Sequence, residues 1–470
     1  MKKLAKIYEW LLLILPAVLF FSYRPLFSLG ATTSMNLELS LPLIWLVIFD
    51  LLSLVLVVNH FPDLKKRFHL PYLLILLFPL FLTISIFWSL NPLRALLTAS
   101  ILWLIIFAVF AIIFLTPLII KKRSFSQAIL KSILLSAVII SAWCWLQCLL
   151  DLVGMSRDFT LMCAGCTTTT FGFPHPNGFA IEPQFMGNLL LFPAIIALYL
   201  WLERPSWRRG LVVFFLSATL FLTFSRGAIY SFGVAVAFLF VMLIIRAKSA
   251  RPLILIPMLL GAFLFTLNAQ GLMAQFSVTD DTYLTGIAKS INQLSLGLID
   301  FRPQPSEITQ TSEASQSPEA SDLDVTSSTF DGYVEESTNT RLRLTAAAFN
   351  IWRENPTTMF FGVGLGGAGE ALYRHGDSPA PKEIVQNEYA SLLLETGLVG
   401  IITLLIAITV IIYYAAHALS RPAQLLLATI ILAYALSLLF FSGLPNALHI
   451  YLLPSLLALF HGIMRFRPDL

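Results

Sequence analysis

The chain has 470 residues, 57% of them hydrophobic and only 12% charged, and its mean hydropathy is +0.82. A water-soluble chain of this size cannot hide so much apolar side chain, so the composition excludes a soluble globular protein and points to a polytopic membrane protein. The formal charge of +4 carries little information by itself, because the placement of Lys and Arg around the spans matters more than their sum.

The apolar runs are near 20 residues long and do not alternate, which predicts helices rather than a β-barrel. In chain order, hydropathy predicts about twelve spans: 8–28, 41–59, 70–89, 94–119, 126–150, 184–202, 209–225, 228–246, 252–269, 390–416, 423–442 and 447–464. The first run lacks a small-residue cleavage site and leads into further spans, so no cleavable signal peptide is expected. With the N-terminus in the cytoplasm, 18 of the 30 basic residues fall in short inside loops, among them Lys2, Lys3, Lys6, Lys65, Lys66, Arg67, Arg208 and Arg209. Lys131 lies within the fifth span and the other 11 fall outside, mostly in two long loops where charge bias carries little weight. Both termini are then expected in the cytoplasm. The layout is nine spans over 1–269, an extracytoplasmic loop over 270–389, and three more spans over 390–470. No internal repeat is evident.

Three outside segments stand apart from the apolar background. The first, 151–183, holds Cys163-Ala-Gly-Cys166 and then FGFPHPNGFAIEPQ; the second is the turn TFSRGA, with Arg226; the third is the long loop. Within that loop, residues 303–340 contain eight acidic residues, no basic ones, and many Ser, Thr, Pro and Gln. Such a composition cannot offset the entropy of ordering a packed core, and most of it is expected to be disordered. From 340 to 354 the spacing of Ala, Leu, Phe, Ile and Trp predicts a surface helix ended near Asn355-Pro356.

Candidate chemistry follows from the polar residues on this face. Arg226, at the end of an apolar span, either snorkels to lipid phosphate or binds a diphosphate through its forked, permanently charged guanidinium. Arg341 and Arg343, two apart on one helix, point about 200° from each other, so only one of them can face a ligand squarely. The glycines of GVGLGGAG (362–369) lack the strand–loop–helix context and the Lys-Ser/Thr of a nucleotide loop; they either allow close backbone packing or present amides to an anion. Cys163 and Cys166 form either a local disulfide or two free thiols, since no second ligand pair accompanies them for zinc. Cys144 and Cys148 read as packing residues. Outside bases include His175 and His375, and the carboxylates Glu182, Glu370, Glu383, Glu388 and Glu395. Asp50, within the second span, is expected to face the bundle.

Four of these segments together resemble the O-antigen ligase and O-antigen polymerase superfamily of bacterial envelope glycosyltransferases. TFSRGA (Thr223–Ala228) resembles the family's span-ending Ser-Arg-Gly/Ala. Arg341, followed by Pro356 and GVGLG, resembles its Arg-Leu…Pro…Gly-x-Gly segment. QNEYASLLLETGLVG (Gln386–Gly400) resembles its His-Asn-x-x-Leu…Glu-x-Gly-x-x-Gly segment, and FGFPHPNGFA (Phe171–Ala180) a looser Pro-Asn segment. The resemblance implies a membrane-embedded, type C-like, metal-independent and cofactor-free glycosyltransferase of the cytoplasmic membrane. It implies an active site opening outside the cell, with the lipid bilayer as its setting and no nucleic-acid partner. Such an enzyme moves a glycan from undecaprenyl diphosphate to a glycan, lipid or protein acceptor, as ligase, polymerase or oligosaccharyltransferase. It implies diphosphate ligands at Arg226 and Arg341, with Arg343 secondary. The family's general base is a histidine at the position of Gln386, and glutamine cannot take up a proton at working pH. Gln386 and Asn387 are then an acceptor-orienting pair, with Glu388, His375 or His175 supplying the base. The rival classes are a lipid-linked glycan transporter and a non-catalytic binding protein.

Overall fold

A computed structural model of the chain describes residues 2–20, 25–31, 36–67, 70–120, 123–167, 173–247, 251–276, 282–295, 329–418 and 421–440. The helices are α1 (Lys2–Phe20), α2 (Leu41–Arg67), α3 (Leu77–Ile84, flanked by 3-10 turns), α4 (Pro92–Ile119), α5 (Arg123–Leu152), α6 (Arg157–Thr160), α7 (Pro183–Glu203) and α8 (Trp207–Leu222). They continue as α9 (Arg226–Ala247), α10 (Leu255–Gln275), α11 (Tyr283–Leu294), α12 (Thr329–Trp352), α13 (Pro356–Phe361), α14 (Ala368–His375), α15 (Glu388–Ala418) and α16 (Arg421–Ser437). The exception to the helical pattern is an antiparallel hairpin of β1 (Pro25–Ala31) and β2 (Asn36–Ser40), paired Pro25↔Ser40 to Ala31↔Asn36. Its first strand begins within the interval where hydropathy alone predicts the end of the first span.

Seven helices among the described residues are long and apolar enough to cross a membrane: Leu41–Lys65, Pro92–Ile119, Phe125–Leu152, Pro183–Glu203, Arg226–Ile245, Leu255–Gln275 and Glu388–Tyr413. Tyr72–Trp88 and Ala423–Ser437 are shorter apolar segments. The chain is thus a predominantly helical polytopic membrane protein. The expected span at 447–464 and residues 303–328 of the acidic tract lie outside the described residues.

Helix α7 is the axis of the bundle. Every residue from Phe185 to Tyr199 is buried, so the helix is enclosed on all sides rather than along one stripe. It packs against α8, α9 and α16, and its apolar side chains lie within the main hydrophobic core. By contrast, α12 buries a stripe. Leu344, Ala347, Ala348, Ile351 and Trp352, spaced three or four apart, pack with Ala368, Leu372, Val385 and Leu394. The surface helix expected over 340–354 is therefore present as part of α12, which starts earlier, at Thr329, and stops at Trp352. Asn355 then caps α13, its Oδ1 accepting from Thr358 N at 2.9 Å, with Pro356 at the first helical position.

The glycine-rich stretch after α13 crosses α15 at a break in that helix. Gly397 has φ +61°, which interrupts the helical ladder and leaves the carbonyls of Leu394 and Glu395 open to other donors. They accept from Val363 N at 2.9 Å and Gly364 N at 3.0 Å. A Cβ on Gly362 would lie 2.4 Å from the Glu395 backbone, and one on Gly397 2.5 Å from the Phe360 backbone, so this crossing requires glycine on both strands. On the other side, Ser89 Oγ donates to Leu365 O at 2.8 Å. Of the two roles open to these glycines from sequence, close backbone packing is the one seen.

Candidate active site

Arg226 and Glu388 open α9 and α15 at the end of the bundle where α7 also begins. The turn Thr223–Ser225 joins α8 to α9 and positions Arg226 as the first residue of α9. Thr223 Oγ1 donates to Leu220 O at 2.8 Å, closing α8. Phe224 then takes a left-handed conformation, φ +50°, which costs a non-glycine residue about 1–2 kcal/mol. It is retained because the Phe224 ring is buried, stacked on the His175 ring at 5.1 Å and tilted against Phe173 at 5.3 Å.

Close packing of α7 on this turn brings the two ends together. A Cβ added to Gly187 would lie 2.7 Å from Ser225 Cβ and 3.0 Å from Ala228 Cβ, so only glycine lets α7 and α9 approach this closely. One turn earlier on α7, Gln184 Oε1 accepts a hydrogen bond from Arg341 Nη2 of α12 at 3.3 Å. Gln184 Nε2 in turn donates to Glu182 Oε2 at 3.0 Å. Arg341 and the turn that carries Arg226, 115 positions apart in the chain, are thereby set against consecutive turns of one helix. Both arginines are half-buried, whereas Arg343 is exposed, as the spacing of Arg341 and Arg343 on one helix requires. Arg226 also acts electrostatically on the Tyr230 phenol one turn along α9.

The end of α16 completes the arrangement. Leu438 O accepts from Glu388 N at 2.9 Å, Tyr434 Oη donates to Asn188 O at 2.8 Å, and Phe440 packs over Gly227. These contacts set the start of α15 beside the starts of α7 and α9. Asn387 caps α15, its Oδ1 accepting from Ala390 N at 3.2 Å. Gln386 is half-buried, and its enclosed Oε1 makes no hydrogen bond among the described residues. Three helix N-termini and the Arg226 and Arg341 guanidinium groups share this region with the Glu182 and Glu388 carboxylates.

The other candidates are distributed differently. Glu388 is buried at the first turn of α15. His175 is 4% exposed, and burial lowers its pKa from 6.5 to about 3, so the ring is neutral under ordinary conditions. Its backbone N–H donates to Cys166 O at 2.8 Å, tying the Cys163–Cys166 disulfide to the Phe224 stack. His375, at the end of α14, is exposed, with Nδ1 2.7 Å from Asp377 Oδ2. Glu395 is buried and caps α14 through Ala368 N at 3.4 Å, with the Arg94 guanidinium as its electrostatic partner. Cys144 and Cys148 are buried free thiols. No group of three or more His, Cys, Asp or Glu that could hold a metal ion occurs among the described residues. Gln184, Gly187 and Tyr434 are the residues that sequence reading left out. Gln184 alone had a local signal, as the polar residue just after Glu182-Pro183 at the mouth of an apolar span.

The fold is that of a polytopic helical membrane protein in which Arg226 and Arg341 are both half-buried near the start of α7. Residues 211–405 match the family model described as O-Antigen ligase, an interval containing Arg226, Arg341 and Gln386. No curated protein matches the chain.

Proposed function

We propose that the protein transfers a glycan from undecaprenyl diphosphate to an acceptor hydroxyl at the extracytoplasmic face of the cytoplasmic membrane, with both termini inside. The observation that supports this reading is that Arg341, through Gln184, and the turn that carries Arg226, through Ser225 and Ala228, both pack on the first two turns of α7. Each guanidinium offers several forked donors and a charge that does not titrate away, which suits two adjoining phosphates. The acceptor oxygen forms a bond to the anomeric carbon, and the bond from that carbon to the diphosphate oxygen breaks with its electron pair. The leaving group departs with added negative charge, and two fixed cations beside helix N-termini stabilise it more in the transition state than in the ground state. Gln386, with an enclosed carbonyl oxygen seeking a donor, orients the acceptor hydroxyl; Asn387 holds the start of α15 in place. Arg343, exposed on the other side of α12, supports the field from the periphery.

The test compares envelope glycans by mass spectrometry in cells with the protein, without it, and with Arg226→Ala or Arg341→Ala. Loss of one glycan linkage in the deletion and in both variants, with folded protein still in the membrane, is the expected result. Full activity in both variants, or substrate movement across vesicles with no change of linkage, overturns the reading.

A further inference from the structure

Gln386 cannot accept a proton, so the acceptor hydroxyl needs a base elsewhere. Most of the other candidates are buried or paired within the chain. Glu395 is buried beneath the glycine loop, Glu370 pairs with Arg374 at 2.8 Å, and His375 pairs with Asp377. His175 is closed between Phe173 and Phe224, and Glu388 is buried under the end of α16. Glu182 is different. It is exposed, it directly precedes α7, and its Oε2 is joined through the Gln184 amide to Arg341.

The amide makes this connection directional. An amide has one accepting oxygen and one donating NH2 group. Since Gln184 Nε2 is drawn to the Glu182 carboxylate, Oε1 is the end left to face the Arg341 guanidinium. The three groups therefore orient one another, and a solvent-open carboxylate stands two hydrogen bonds from a proposed diphosphate ligand.

We propose that Glu182 is the general base of the transfer, receiving the acceptor hydroxyl proton as that oxygen attacks the anomeric carbon. This rests on the reading given under Proposed function. The proton moves to the Glu182 carboxylate, the new carbon–oxygen bond forms, and the bond to diphosphate breaks with its electrons retained by the diphosphate. Glu182 then releases the proton to solvent. Its environment suits that role: although the residue is exposed overall, partial desolvation of its carboxyl raises its pKa above the ordinary glutamate value, while the Arg341 charge opposes the rise. A carboxylate raised in this way is a stronger base.

The experiment uses the full chain in membranes of its own cells, which contain donor and acceptor, and follows transfer of labelled glycan between pH 5 and 9. Binding of undecaprenyl diphosphate to the purified chain is measured in parallel. Glu182→Gln is expected to slow transfer by about 100-fold or more while binding changes less than about two-fold, and the rise of rate with pH should disappear. Glu182→Asp, which keeps the carboxylate, should regain part of the rate and of the pH dependence. Wild-type rate and pH profile in E182Q overturn the proposal, as does an E182Q defect confined to binding, which would make Glu182 a positioning residue for Arg341. If wild-type membranes transfer no glycan at all, the transfer reading itself fails; an active wild type with an unaffected E182Q overturns only this inference.

Discussion

Gln184 and Arg341 meet at 3.3 Å although 157 residues separate them. That single contact fastens the helix from the long loop to the buried axis of the bundle. It also defines which arginine of the Arg341/Arg343 pair faces the site.

Arg341→Ala and Arg226→Ala should each slow glycan transfer by about 100- to 1,000-fold, the loss expected when a donor aimed at a developing anion is removed. Arg343→Ala, at an exposed position, should change it by less than about three-fold. Label transfer in isolated membranes measures all three. Equal effects at positions 341 and 343 would refute the assigned geometry.

Gln184→Leu keeps the volume at the start of α7 but removes the acceptor for Arg341 Nη2. A hydrogen bond to a charged group contributes about 1.5–3 kcal/mol, so transfer should fall about 10- to 100-fold with little change in thermal stability. Gln184→Glu keeps an acceptor and should lose less. A Q184L protein that melts early without a specific rate defect would show the contact to be packing alone.

His175 should make stability depend on acid. Its pKa is depressed from 6.5 to about 3 by burial, so between those values the unfolded chain binds a proton that the folded chain does not. Stability from this group is fully present above about pH 6.5 and falls by up to about 1.4 kcal/mol per unit as pH drops through that window. His175→Phe retains a ring against Phe224 and should flatten the dependence. Thermal midpoints of the detergent-solubilised protein at pH 7 and pH 5 test this; parallel curves for wild type and variant would disprove it.

Gly397→Ala should destabilise the fold by at least about 2 kcal/mol, because the new methyl meets Phe360 backbone at 2.5 Å and φ is +61°. Gly233→Ala in α9 has nothing within 4 Å of its Cβ and should leave the midpoint unchanged or slightly higher. The two alanines together separate a steric requirement from a general intolerance of change.

Much of the molecule was legible in the chain. Runs of some 20 apolar residues predicted most of the helices to within a few positions, because backbone groups in lipid are satisfied only inside a helix or a closed barrel. Arg226 was visible as a polar residue at the end of an apolar run, and Arg341 and Gln386 through the segments that carry them. Less legible were the hairpin at Pro25–Ser40, hidden in an apolar stretch, and the start of α12 at Thr329, which lies within the 303–340 acidic tract whose composition argues against order. The role of Glu395 was also beyond reach, since a carboxylate near a glycine loop reads as a base until the loop is seen to lie on top of it.

Local features follow from the chain alone. Hydropathy and periodicity act over a few turns, and they specify spans, caps such as Asn355 and Asn387, and the amphipathic stripe of α12. Proximity, by contrast, is settled by the packed fold. Nothing within reach of Gly187 in the chain indicates that Ser225 must lie against it, or that Tyr434 donates to the backbone of Asn188. Those contacts depend on which helix becomes the enclosed axis, a choice made by the packing of all the helices at once. The same packing sets Glu182, Gln184 and Arg341 in one line, and so turns three ordinary polar residues into a candidate site.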